Sequence, residues 1–537
     1  MKRFITLFLS IAGGILLWAA WPVSPFTFLI FIAWIPLLWI ELTVKGKRKF
    51  FGLTYITMFI WNIATTWWIW NASDIGAIMA IFANSLLMCL PWLGFKIIRK
   101  KFGENTGYLS LVAFWICFEF FHLQDWGLSW PWLTLGNVFA TRPGWIQWYE
   151  YTGTAGGSLW VLTVNLLLFI FIKYNFILRT QKTYKHLFIV VPLLIIPLLL
   201  STLDGIHKKV PGIKPNVVVV QPNIDPYEKI SAGTLEAQLG KLIHLSEQAI
   251  DSNTSLVIWP ETALYTGGGI EEKKMKENSF LNPLWAFLQR HPQINLFTGI
   301  ESYEVYESKK TSTARQGEGF YYDSFNGSVL LDSSGPFAFY HKSMLVPGVE
   351  TLPWFLKFID NWFEKFGGTT AGYAKQKERT VLNTRNGYKI GPAICYESIY
   401  GEFMSDYISN GANIICVITN DGWWGNTPGH KQHMNYARLR AIETRTWVAR
   451  SANTGISCFI DPYGTVFDPQ PWDTAAAIKM AVPVGNGKTF FVKNGDIISR
   501  VMVLLSILFI GIMIVLWIIK TFFKKDKGNT VLNRTIL

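Results

Sequence analysis

Long apolar runs broken by short polar connections fill the first 202 residues. They fall at roughly 4–21, 24–42, 51–71, 75–98, 107–122, 158–172 and 187–202, and one more follows at 500–519. A helix crosses a hydrocarbon core with about 20 apolar residues, so the pattern predicts a membrane α-helical bundle of about eight spans. The fifth, sixth and seventh runs are short, which leaves their ends soft. Between 203 and 499 the pattern changes to brief β-branched runs alternating with stretches at helical spacing. Asn216–Gln221 reads as a buried strand stopped by Pro222, and 234–250 as a helix with Leu235, Leu239, Leu242, Ile243 and Ile250 near one face. A strand follows at Leu256–Trp259, a helix at 282–291, a strand at 294–300, and a hairpin of 321–332 with 335–340 around Ser333-Ser334-Gly335. After an irregular 343–380 come strand 388–395, helix 400–409, strand 413–419, helix 429–451 and strand 455–461, closed by Pro462-Tyr463-Gly464. Strands alternating with helices, joined at times as strand pairs, predict an α/β domain with mixed sheets. The chain thus divides into 1–202 (seven spans), 203–499 (the α/β domain, entered through a basic linker, Gly205 to Pro215) and 500–537 (the last span and a tail).

Composition agrees with a membrane protein: of 537 residues 50% are hydrophobic and 16% aromatic, with 25 Trp and 39 Phe. The net charge of +13 raises nucleic acid as a partner, and the positions of the charges remove it. Basic residues cluster at 2–3, 45–49, 96–101, 173–185 and 520–527, while the alternate connections, 22–23, 72–74 and 123–157, carry only Arg142. Those eighteen basic residues exceed the whole net charge and alternate with the turns of an eight-span chain. By the positive-inside rule both termini are cytoplasmic and 203–499 lies outside the cytoplasmic membrane; a basic face toward acidic lipid head groups stays open. Lys2-Arg3 and the run to Ala20 also fit a signal peptide. Trp18 and Trp21 around the would-be cleavage site, and the charge pattern, favour an uncleaved span. The five cysteines (89, 117, 395, 416, 458) are odd in number and lie in spans or apolar runs, so no disulfide framework is expected.

The outward stretch 123–157 holds Trp126, Trp130, Trp132, Trp145 and Trp148 among prolines and glycines. Two readings stand for it: an interfacial aromatic belt with irregular backbone, or a lip that admits lipid beside the outer domain. Glu119, an ionisable group in apolar surroundings, gets no role. His430 and His433 lack a third ligand nearby, so no metal is expected. Asn71-Ala-Ser73 and Asn326-Gly-Ser328 match a glycosylation pattern that a bacterial-type membrane protein would not use.

The chemistry gathers at Gly391-Pro392-Ala393-Ile394-Cys395-Tyr396-Glu397-Ser398, where an apolar run ends on a thiol followed by a phenol and a carboxylate. A thiol needs a base to take its proton and a cation to hold the oxyanion formed when it attacks a carbonyl. Val257-Ile258-Trp259-Pro260-Glu261 and Tyr340-His341-Lys342 supply one of each. Taken singly, each has an ordinary alternative: an inert buried cysteine, an edge carboxylate, a solvated lysine.

The order Glu261, Lys342, Cys395 in these settings resembles the Glu-Lys-Cys triad of the nitrilase, or carbon–nitrogen hydrolase, superfamily. Seven spans before the domain and one after resemble its apolipoprotein N-acyltransferase branch. So do Thr419-Asn420-Asp421-Gly422-Trp423-Trp424-Gly425, the stretch from Gln432-His433 to Glu443, Ser451-Ala452-Asn453-Thr454-Gly455-Ile456-Ser457, and Trp130-Pro131-Trp132-Leu133 with Gly136. The resemblance implies a nitrilase-like α-β-β-α sandwich, with Glu261 as general base, Lys342 as oxyanion stabiliser and Cys395 as a nucleophile that carries an acyl chain as a thioester. Glu350 matches a further family glutamate near the site, and Tyr396 and Glu397 match the two residues after the family cysteine. It also implies a two-step exchange from phospholipid to the amine of a diacylglyceryl-cysteine apolipoprotein, no cofactor, and a monomer in a bacterial inner membrane with a periplasmic catalytic domain. Two positions depart from the family pattern: Pro-Gly-Val-Glu at 347–350 replaces Pro-Phe-Gly-Glu, and Ile230 replaces a tryptophan. Two rivals remain, a tethered amidase that hydrolyses its thioester and a scaffold that has kept the fold without activity.

Overall fold

A computed structural model describes residues 2–177, 184–204, 213–227, 235–351, 372–485 and 488–532. Residues 205–212 of the linker, Ile230 and 352–371 of the irregular segment lie outside the described residues.

The first half folds into α1 (Lys2–Ala20), α2 (Ile35–Thr43), α3 (Lys47–Thr66), α4 (Asp74–Leu87), α5 (Cys89–Phe102), α6 (Glu104–His122), α7 (Tyr149–Ile172) and α8 (Lys185–Asp204). The run at 75–98 is two helices rather than one, and Pro91 gives the reason. A proline lacks the N–H for an i→i−4 bond and crowds the carbonyl four residues back; here that residue is Leu87, the last of α4. The run at 24–42 is also divided, into a 3-10 turn Thr27–Phe31 and α2. Among the described residues four stretches are long and apolar enough to cross a membrane: Gly76–Phe102, Tyr149–Ile177, Lys185–Leu203 and Ile497–Thr521. Phe4–Ala20 and Thr27–Thr43 are apolar but shorter.

Tryptophans fill the interior of this bundle. Trp34 stacks on Trp92 at 5.0 Å and meets Trp115 edge-on at 4.4 Å, and all three are buried. Three of the basic residues that signalled the inner side are also drawn inside: Lys96 lies 3.3 Å from Glu41, Arg99 bridges Glu41 and Glu104, and Lys173 meets Glu104.

The α/β domain is built on two sheets. The strands are β1 (Asn216–Gln221), β2 (Thr254–Ile258), β3 (Ile270–Glu271), β4 (Asn295–Tyr306), β5 (Arg315–Gln316), β6 (Tyr321–Asp332), β7 (Gly335–His341), β8 (Leu382–Asn383), β9 (Lys389–Ile394), β10 (Ile414–Thr419), β11 (Val448–Ala452), β12 (Cys458–Ile460), β13 (Val466–Phe467) and β14 (Ala476–Ala481). One sheet runs β14-β1-β2-β4-β6-β5, with β3 on β4 and β7 on β6; the other runs β13-β12-β11-β10-β9-β8. Alternate side chains go to opposite faces of a strand. In β1, Val217 and Val219 join the core shared with the second sheet, whereas Val218 and Val220 join one with α9 (Leu235–Ala249) and α10 (Asn282–Arg290). The far face of the second sheet carries α11 (Gly401–Ser409) and α12 (Pro428–Thr444), so the layers run helix, sheet, sheet, helix. The short α13 (Phe490–Asn494) then leads to α14 (Ile497–Leu532), which returns along α6.

Three expectations need correction. Helix 429–451 stops at Thr444, where Arg445 takes a left-handed conformation at φ 50°. β-Branched Val448 then opens β11, parallel beside β10. The strand at 455–461 contracts to Cys458–Ile460, and β14, absent from the sequence reading, pairs antiparallel with β1.

The two halves are joined by buried polar contacts. Trp132, buried at 1% exposure, donates its indole N–H to Gln432 Oε1 at 2.8 Å and accepts from Tyr436 at its own carbonyl, 3.0 Å. Trp21 donates to Tyr436 from α1's end, also at 3.0 Å. Trp132 therefore lies at an internal joint and not in a belt at the lipid boundary. Thr154 N–H donates to Glu443 Oε1 at 3.1 Å, and burial, opposed by Arg440, pushes the Glu443 carboxyl up to about 7. The kink in α7 that exposes this N–H is at Gly153, φ 59°, where a Cβ would stand 2.4 Å from the Phe491 ring.

Candidate active site

Three strand ends converge between the sheets. Glu261 follows β2 through Trp259-Pro260, Lys342 directly follows β7, and Cys395 directly follows β9. Parallel β1, β2 and β4 deliver their C-terminal ends to one edge, the usual place for a site in such sheets. Gly299 of β4 lets the Glu261 backbone come close, since a Cβ there would lie 2.6 Å from Glu261 Cα.

Lys342 Nζ lies 2.8 Å from Glu350 Oε1 and 3.2 Å from Glu261 Oε1. The Asn326 amide donates to both of those oxygens, at 2.7 and 2.8 Å, and the Asn326 carbonyl accepts from Lys342 N–H. The second oxygens are also filled: Asn420 N–H donates to Glu261 Oε2 at 3.1 Å and Val346 N–H to Glu350 Oε2 at 2.8 Å. Glu350 N–H bonds back to the Val346 carbonyl at 2.9 Å, so Pro347-Gly348-Val349 forms a closed turn that aims its carboxylate at Lys342. Burial pulls the Lys342 ammonium down, and the Glu261 and Glu350 carboxylates more than offset it, holding its pKa well above the usual lysine value. Burial pushes the Cys395 thiol well above its ordinary range; Glu261 adds to this and Lys342 opposes it. The resting thiol is protonated.

Cys395 has φ 51°, a left-handed conformation that a residue with a side chain adopts only when its surroundings impose it. Its carbonyl accepts from Ser398 Oγ at 2.8 Å and faces His433 Nε2 at 3.1 Å. His433 Nδ1 lies 2.9 Å from Asp421 Oδ1, and Arg450 donates to Asp421 Oδ2 at 2.7 Å. Burial pushes Asp421 up, but Arg450 and His433 outweigh it and hold the carboxyl well below its usual range. A charged Asp421–Arg450 pair thus braces the turn from behind.

Glu397 turns away from the thiol. It accepts from Ile394 N–H (2.8 Å), Ser343 N–H (2.6 Å), Met344 N–H (3.2 Å) and Tyr340 OH (2.7 Å), clamping the Cys395 turn to the chain after Lys342. Burial lifts it to about 7 against these donors. Tyr396 reaches the other way: its phenol donates to the Ser129 carbonyl at 2.7 Å and its ring stacks on Trp130 at 6.1 Å. All six residues singled out in the sequence therefore belong to one cluster, Glu397 and Tyr396 as its struts. The sequence reading gave no role to Asn326, Asp421, His433 or Arg450. Asp421 and His433 stood in the motifs quoted above, and Asn326 is a polar residue inside an otherwise buried strand. His430, the other half of the histidine pair, packs 4.5 Å from Trp472. Among the described residues no three His, Cys, Asp or Glu are grouped to hold a metal ion.

Beside the cluster lies a partly open cavity with about 760 Å³ of empty space, its mouth included. Its walls are α4 and Ile69, Leu128, Ser129 and Trp130 of the loop after α6, and the 346–349 turn before Glu350.

The four-layer sandwich falls within residues 216–486, which the Carbon-nitrogen hydrolase family model matches, so the α/β domain is of the carbon–nitrogen hydrolase class. The Apolipoprotein N-acyltransferase N-terminal domain model matches residues 13–167. An apolipoprotein N-acyltransferase of Chlorobaculum tepidum is 31% identical over 516 residues, covering 92% of this chain and 94% of the relative. One from Geobacter metallireducens is 27% identical over 516 residues, covering 91% and 92%. A solved nitrilase-superfamily protein from Saccharomyces cerevisiae is 17% identical with a TM-score of 0.36, covering 52% of this chain and 92% of that one. The chain belongs to the apolipoprotein N-acyltransferase family.

Proposed function

We propose that the protein moves a fatty acyl chain from a phospholipid to the N-terminal amine of diacylglyceryl-cysteine on apolipoproteins, by way of a thioester on Cys395. The observation that carries this reading is the buried Lys342 held between Glu261 and Glu350, with Cys395 in a left-handed turn at the neighbouring strand end. A charged lysine in a dry site is a strong oxyanion stabiliser, and in this reading Glu261, whose charge raises the thiol, is the base that takes its proton.

In the first step Glu261 accepts the Cys395 proton as sulfur attacks the ester carbonyl carbon, and the oxyanion forms against Lys342. The carbon–oxygen bond to glycerol then breaks, and Glu261 returns the proton to that oxygen, releasing a lysophospholipid. In the second step the acceptor amine attacks the thioester, Glu261 takes its proton, and the tetrahedral intermediate expels the Cys395 thiolate, which recovers the proton. Glu350 and Asn326 hold Lys342 and Glu261 in place throughout. The apolar cavity between α4 and the turn before Glu350 supports a lipid donor over a soluble amide.

The same reading gives eight spans, both termini in the cytoplasm, and domain 203–499 on the periplasmic side of a bacterial inner membrane, with the protein acting as a monomer. Its support is the alternation of basic residues along the chain.

Purified protein incubated with phospholipid alone and weighed intact tests the reading. A mass gain of one acyl group, absent in Cys395→Ala and discharged by a diacylated lipopeptide, is the expected result. Free fatty acid with no dischargeable adduct identifies a hydrolase instead, and transfer by Cys395→Ala overturns the mechanism.

A further inference from the structure

His122, the last residue of α6, lines the apolar cavity and is buried at 3% exposure. Its Nδ1 accepts the Trp130 backbone N–H at 3.0 Å. A nitrogen that accepts carries no proton, so the ring is neutral and its one proton is on Nε2. No partner for Nε2 occurs among the described residues. The rest of the lining is almost wholly apolar: Met79, Ala83 and Leu87 of α4, Leu128, and Val346 and Pro347 of the turn, with no lysine or arginine.

We propose that His122 Nε2–H is a binding residue for the donor lipid and hydrogen-bonds the carbonyl of the ester that is not cleaved. The proposal rests on the phospholipid-donor reading above. A neutral donor in walls without a cation suits a neutral acceptor; a phosphodiester there would be a buried, unpaired charge. The scissile carbonyl is a different group, because it must reach Cys395 and Lys342, neither of which lines the cavity. A diacyl lipid has a second ester a glycerol carbon away, and His122 Nε2–H, a lining donor without a partner among the described residues, is the group assigned to hold it ahead of the Trp130 indole N–H.

The contact also fixes distance. The 129–130 segment is pinned from the lipid side by His122, which takes the Trp130 N–H, and from the catalytic side by Tyr396, which donates to the Ser129 carbonyl at 2.7 Å. An ester anchored on His122 is therefore indexed to the residue adjoining the nucleophile.

Two donors separate the roles: a diacyl phospholipid, and its analogue with the same transferable acyl chain but an ether in place of the second ester. Thioester formation is followed by intact mass in vesicles of each. Wild type is expected to favour the diester about five- to tenfold in apparent KM, the range of one neutral hydrogen bond, with little change in the maximal acylation rate. His122→Phe should lose the preference by weakening diester binding, and His122→Gln, which restores an N–H, should recover part of it. A wild type indifferent to the ether, or a His122→Phe variant that still discriminates, overturns the proposal while leaving the acyltransferase reading intact. Failure of wild type to form any Cys395 adduct with the diester overturns both.

Discussion

Tyr396, next to Cys395, donates its phenol to the carbonyl of Ser129 at 2.7 Å across 267 residues of sequence. One hydrogen bond thus ties the turn that carries the thiol to the loop between α6 and α7. Tyr396→Phe keeps the stack on Trp130 and leaves a buried carbonyl unpaired, a loss of about 1–3 kcal/mol. The expected outcome is a lower thermal midpoint and slower thioester formation, read by intact mass against time, with the adduct still on Cys395.

Lys342 neutralises two carboxylates at once, so removing it costs more than a catalytic group. Lys342→Met should abolish transfer and destabilise the protein by about 3–5 kcal/mol, the range for a buried charge stripped of its partner. Because Glu350 is the closer partner at 2.8 Å, adding Glu350→Gln to Lys342→Met should recover part of the thermal midpoint and none of the activity. A double variant no more stable than the single one would show that Glu350 is not a charged partner of the lysine.

The Cys395 thiol is raised by burial and by Glu261, with Lys342 opposing. Alkylation by iodoacetamide at pH 8 should therefore be at least about tenfold slower than for a free thiol. Glu261→Gln removes the charge that disfavours the thiolate and leaves the lysine, so the thiol should alkylate faster although acyl transfer is lost. Peptide mapping of the alkylated protein gives both rates; an equal or slower rate in Glu261→Gln contradicts the electrostatic assignment.

His430 supplies a pH dependence of stability. Burial holds its imidazole down to about 4, with Asp421 partly opposing. The unfolded chain, at about 6.5, then binds more protons than the folded one between these values, so stability rises with pH there. Its contribution is complete above about 6.5 and is lost as pH falls toward 4. His430→Gln should flatten that part of the curve, with a wild-type-minus-variant difference that shrinks by no more than about 3 kcal/mol from pH 7 to 4. Thermal midpoints at matched pH values measure it.

Apolar runs and basic residues are one-dimensional signals, and from them the sequence alone determined a greasy helical half, an α/β domain between its last two apolar runs, and the segments bearing Glu261, Lys342 and Cys395. Local chemistry was enough because each of these residues ends a strand whose pattern is short-range. Boundaries were less legible where a single residue overrides a hydrophobic pattern: Pro91 divides the run at 75–98, and left-handed Arg445 ends α12 seven residues before the expected end. β14 was hidden because Ala476–Ala481 is a half-exposed edge strand, defined by its pairing with β1 and not by its own hydrophobicity. Only the tertiary structure decided that Asn326 bridges two carboxylates, that Asp421, Arg450 and His433 brace the Cys395 carbonyl, and that Trp132 joins the two halves. These are contacts between residues tens to hundreds of positions apart. A polar side chain in a sequence does not say which partner it will find, and the low dielectric of the interior is what makes that partner obligatory.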